Sequence, residues 1–62
     1  MVVPFMDTGA GAAVYINPVE VVTLRPDPAD PTRVSIVKLR DGETLRVQGE
    51  HREVAEKFAR AA

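Results

Sequence analysis

The sequence predicts an α+β fold, a small twisted antiparallel sheet of roughly four or five short strands with one C-terminal α-helix, in the order β-β-β-β-β-α. Three observations carry this. Two runs rich in Val, Ile, Leu and Thr, from Arg33 to Arg40 and from Glu43 to Gln48, flank Asp41-Gly42. Asp-Gly between such runs is the strongest short-range hairpin signal. Three further apolar runs precede the hairpin, each cut off by Gly, Pro or Asn. After Gln48 the apolar spacing changes from two to nearly 3.6, with Val54 and Phe58 four apart.

Taken in order, Val2–Met6 is apolar with Pro4 inside it, which suits an edge strand or a strand start because proline cannot donate to a ladder. Asp7-Thr8-Gly9-Ala10-Gly11 is a small-residue turn. Ala13–Ile16 resumes β character until Asn17-Pro18 bends the chain. Val19–Arg25 is the next strand, with Val22 and Leu24 on one face and Val19, Val21 and Thr23 on the other. Pro26-Asp27-Pro28-Ala29-Asp30-Pro31 reads as a stiff, extended, solvated connector, returning the chain antiparallel onto the Arg33 strand.

In the hairpin, a two-residue type I′ turn at Asp41-Gly42 pairs Leu39 with Thr44, Lys38 with Leu45, Val37 with Arg46 and Ile36 with Val47. That register puts Val34, Ile36, Leu45 and Val47 on a core face and Arg33, Ser35, Val37, Leu39, Thr44, Arg46 and Gln48 on the other. The helix runs from Glu50 to Arg60, opened by Gly49 or Glu50. Ala55, Ala59 and Ala62 lie beside the Val54–Phe58 anchors, and Glu53–Lys57 and Glu56–Arg60 are i,i+4 pairs.

The 62 residues make a single small domain, 1–62. A domain this small buries only about 60% of its unfolded surface, and a partner subunit is one common remedy. Cysteine is absent and histidine occurs once, at His51. No disulfide, metal centre or cofactor is therefore expected. Lys+Arg number 8 against Asp+Glu 9, which argues against a dedicated nucleic-acid binder. No run is long enough to cross a bilayer and no signal segment is visible, so the expectation is cytoplasmic with no membrane partner.

The two-faced apolar strands point to a homo-oligomer, or to contact with another protein, through the sheet face the helix leaves bare. The interface residues expected are Val19, Val21, Val37, Leu39 and Arg46. Arg33 and Arg46, on one hairpin face, would be the phosphate contacts if a nucleic acid bound. His51 reads as a surface residue.

Two resemblances add to this. Phe5-Met6-Asp7-Thr8-Gly9-Ala10, followed by Val14-Tyr15-Ile16, resembles the active-site signature of retropepsin-type aspartic proteases. That resemblance implies a homodimer in which Asp7 would be catalytic. Across Val14–Phe58, Tyr15-Ile16-Asn17-Pro18, Val21-Val22, Thr32-Arg33-Val34, the Leu39–Val47 hairpin and Glu53–Phe58 are laid out like small bacterial proteins of the flagellar FlbD-like type. The layout is also similar to the first half of LytTR-type DNA-binding domains. FlbD-like resemblance implies a small non-enzymatic bacterial accessory protein. The reading favoured is an interaction module that self-associates, with no catalytic residue; an Asp7 protease and an arginine-based nucleic-acid regulator are the alternatives.

Overall fold

Asp41 does not take the left-handed conformation that a type I′ turn demands. In the structure, a computed structural model describing residues 1–61, only glycines have positive φ, among them Gly42 at +91°. Gly42 N–H donates to Leu39 O (3.0 Å) and Leu39 N–H to Glu43 O (2.8 Å). The loop is therefore three residues, Arg40–Gly42, the type I turn with a left-handed glycine that forms a G1 bulge. Asp41 Oδ1 accepts the Glu43 N–H (2.8 Å) and stiffens it.

One extra loop residue slips the ladder by one. Val34 pairs with Gln48, Ser35 with Val47, Ile36 with Arg46, Val37 with Leu45 and Lys38 with Thr44. A one-residue slip turns one strand over relative to its partner, here Val34–Leu39 relative to Thr44–Gln48. This corrects the expected register: Val37 and Leu39 join Leu45 and Val47 on the core side, while Val34, Ile36 and Arg46 face away.

The elements are β1 (Val3–Asp7), β2 (Ala12–Ile16), a 3₁₀ turn (Pro18–Glu20), β3 (Val21–Pro26), β4 (Val34–Leu39), β5 (Thr44–Gln48) and α1 (His51–Ala61). They form a five-stranded antiparallel sheet in the order β2-β1-β5-β4-β3, with α1 on one face. The predicted α+β class and element order hold. Ala62 lies outside the described residues.

The two edge strands, β2 and β3, are joined by only Asn17–Glu20. Four residues bridge at most about 18 Å, even fully extended. Five flat strands would set those edges about 19 Å apart. The sheet must therefore curl, and it curls around the helix. The curl opens between β1 and β5, whose pairing is a single bridge, Asp7 with Val47. Beyond it, β5 ends at Gln48 and Gly49 turns the chain into the helix.

Two local expectations are corrected. The register of β3 against β4 shifts between Val21 and Thr23, so a bulge at Val22 lets both Val21 and Leu24 pack on the core while Val22 is exposed. The proline-rich connector is not extended. Asp30 N–H donates to Asp27 O (3.1 Å), Arg33 N–H and Val34 N–H to Asp30 O (3.2 and 2.9 Å), and Asp27 is buried.

The core is built from Val3, Phe5, Ile16, Val37, Val47 and Val54, with Val14, Val21, Leu24, Leu39, Leu45, Phe58 and Ala61 packed around them. On the helix the inward stripe is Val54, Phe58 and Ala61, whereas Ala55 and Ala59 are exposed. Phe58 meets Phe5 at 5.1 Å between ring centroids, tilted by 51°, within the range in which aromatic pairs attract. The Lys57 ammonium lies 5.6 Å from the Phe5 ring centroid.

Candidate functional site

With α1 covering one face, the curled sheet leaves its outer face uncovered except where the connector, through Asp27, meets Arg46 and where Val34 is buried. Alternation and register put Ala13 and Tyr15 of β2, Pro4 and Met6 of β1, Thr44, Arg46 and Gln48 of β5, Val34, Ile36 and Lys38 of β4, and Thr23 and Arg25 of β3 on that face. Read across the strand order, this surface divides. The β2–β1 end is uncharged, with Tyr15 65% and Met6 43% exposed. The β5–β4–β3 end carries Arg46, Lys38 and Arg25, and Thr23, Arg25, Ile36, Lys38 and Thr44 line a shallow depression there.

Arg46, its side chain half exposed, is engaged in an ion pair. Its Nε donates to Asp27 Oδ2 (2.8 Å) and its Nη2 reaches the same oxygen. Asp27 Oδ1 accepts the Ala29 N–H (2.9 Å). The Ala29 N–H first, and then the Arg46 guanidinium, hold the Asp27 carboxyl below the usual aspartate range. This pair pins the connector to the sheet. Its arginine was visible in the sequence; its acid was hidden in a segment read as solvated.

The five residues expected at an interface do not share a surface. Val37 is fully buried inside the protomer, Val21 and Leu39 pack on the helix side, and Arg46 points outward in its ion pair. Val19 is exposed in the 3₁₀ turn, where its carbonyl accepts from Arg40 Nε (3.0 Å). Arg33 sits exposed in the turn before β4, outside the hairpin strands, so the expected shared hairpin face with Arg46 is not formed. The outward apolar residues Met6 and Tyr15 were missed; strict alternation along Ala12–Ile16 would have found Tyr15.

Asp7 ends β1 half-buried. Its Oδ1 accepts the N–H of Gly9 (2.8 Å) and of Ala10 (3.2 Å), and its carbonyl accepts from Gly11 (2.8 Å). The carboxylate closes the β1–β2 turn, as aspartate commonly does. Thr8 is spent on β5, donating from N and Oγ1 to Arg46 O (2.8 and 3.1 Å). His51 opens the helix with Nδ1 2.9 Å from Glu50 Oε1, without the alignment of a hydrogen bond. Glu50 Oε1 instead accepts the Arg52 N–H (3.1 Å) and caps the helix. Among the described residues no group of three His, Asp or Glu side chains is placed to hold a metal ion, and no helix is long and apolar enough to cross a membrane. Comparison with known proteins adds no relative, since no family model, no curated protein and no solved structure matches the chain.

Proposed function

We propose that this chain is a small non-enzymatic bacterial interaction module of the cytoplasm that self-associates through the outer, uncovered side of its sheet. The observation that carries the reading is the uncharged β2–β1 end, where Tyr15, Met6 and Val2 stand exposed on a domain whose buried core is mostly valine. Exposed apolar clusters usually mark contact sites, and a core of this size leaves a domain dependent on added contacts. The FlbD-like layout points the same way, to an accessory protein without chemistry of its own. No role beyond turn closure is assigned to Asp7.

Light scattering on the purified chain tests the reading: mass should rise above that of one chain with concentration, and Tyr15→Asp should return it to one chain. A mass of one chain at every concentration overturns it. A second reading rests on the other end of the face, where Arg25 and Lys38 with the hydroxyls of Thr23 and Thr44 could meet an anionic partner. Binding of that kind should weaken steeply with salt.

A further inference from the structure

The two edges of the sheet are treated differently. β3 is blunted by the bulge at Val22 and ends in Arg25-Pro26. Bulges, charge and proline are the devices by which edge strands avoid pairing with other chains. β2 has none of them: it reads Ala-Ala-Val-Tyr-Ile, and no charged residue occurs from Thr8 to Val19 in a chain that is 27% charged.

The hydrogen-bond directions say which backbone groups this edge offers. Thr8 N–H donates to Arg46 O across the Asp7–Val47 bridge. Alternation along an antiparallel strand then points the groups of Pro4 and Met6 toward β5 and those of Val3, Phe5 and Asp7 toward β2. Their partners Ile16, Val14 and Ala12 point back at β1. Ala13 and Tyr15 are left with N–H and C=O directed off the edge of the sheet.

We propose that a second copy of this chain pairs with β2, antiparallel, about a twofold axis through Val14. The inference rests on the self-association reading above and moves its contact to the β2 edge of that face, where Tyr15 stands. In this register Ala12–Ile16 overlaps its copy along the whole strand. Ala13 and the partner's Tyr15 exchange two hydrogen bonds, and Tyr15 and the partner's Ala13 two more, so every outward group of β2 is used. Tyr15 then lies directly across from the partner's Ala13 on the outer face, a large ring over a methyl, and does so twice by symmetry. On the inner face Val14 meets the partner's Val14. An uncharged edge brings no like charges together when identical edges meet.

The absence of cysteine makes the test clean. Val14 and its copy form a non-hydrogen-bonded pair, with Cα atoms about 4.5 Å apart, inside disulfide range. Val14→Cys should give a covalent dimer under mild oxidation, far faster than Val22→Cys on the β3 edge. Ala13→Pro removes an N–H that serves no intrachain bond, hence two of the four interchain bonds per dimer. It should weaken the dimer by about thirtyfold while circular dichroism stays unchanged. Ala13→Lys, which keeps the N–H but adds charge to the edge, should weaken it too should the proline variant fold poorly. A wild type that dimerises without cross-linking at Val14, and unaffected by Ala13→Lys, overturns the β2 contact and leaves self-association standing. A wild type that stays single at all concentrations overturns both.

Discussion

Gly49 shows how much of this fold hangs on single residues at corners. Its φ is +136°, and a Cβ there would lie 3.1 Å from Val54 Cγ2, the helix residue most deeply buried in the core. Its N–H donates to Arg33 O (2.6 Å) and its carbonyl accepts from the buried Ser35 hydroxyl (2.8 Å). Gly49→Ala should cost about 2 kcal/mol, from the left-handed backbone and the contact together. In a domain of this size that lowers the melting temperature by roughly 10 °C. Asp27 supplies the pH dependence. Its carboxyl is held low in the folded state and returns to the ordinary aspartate value on unfolding. Its contribution is thus complete at neutral pH, begins to fade as pH falls through about 4, and is gone below the lowered folded value. Urea unfolding midpoints should fall on acidification through that window, and Asp27→Asn should flatten the fall while lowering stability at pH 7.

Among the elements, the helix is the clearest case of a short segment anchored by few side chains. Its inward stripe is Val54, Phe58 and Ala61, and the Glu56–Arg60 ion pair lies on its exposed side. An exposed pair contributes little, so the helix is held by Val54 and by Phe58 against Phe5. Phe58 is only half-buried. Phe58→Ala should therefore cost about 2–3 kcal/mol, short of the full penalty for a buried phenylalanine, read from urea unfolding. The central hairpin teaches a different lesson. Its two-residue register puts Val34, Ile36, Leu45 and Val47 on one face and leaves Val37 and Leu39 among polar residues on the other. The three-residue loop puts Ser35, Val37, Leu39, Leu45 and Val47 on the helix side and Val34, Ile36, Lys38, Thr44, Arg46 and Gln48 on the other, so apolar residues stand on both faces in either register. Hydrophobic sorting therefore does not choose between the two registers, and Asp-Gly locates a turn without setting its length.

For the molecule as a whole, the curl of the sheet decides what is available to a partner. It wraps β1, β3 and β4 around α1, closes the inner face and leaves the outer one open apart from the part of it that the Asp27–Arg46 pair ties to the connector. Because that face is uncharged at β2–β1 and basic toward β3, the two ends should respond oppositely to salt. Association through Tyr15 should persist in high salt, as apolar contacts do, whereas anion binding near Lys38 and Arg25 should disappear. Light scattering and a fluorescent anion, each measured at low and high ionic strength, separate the two.

Element order and class were legible because they rest on local chemistry: β-branched runs, Asn-Pro and Asp-Gly breaks, and the period that opens at Glu50. The helix anchors Val54 and Phe58 were legible for the same reason. Which strand face turned inward was not, since it depends on one loop residue at Arg40–Gly42 and on a bulge at Val22 that only packing against α1 selects. The burial of Asp27 was not legible either. Its partner Arg46 lies nineteen residues away in sequence and meets it only once β3, β4 and β5 are side by side. The uncharged edge at Ala12–Ile16 was written in the sequence throughout, but that it is an edge is a property of the strand order, which long-range pairing alone decides.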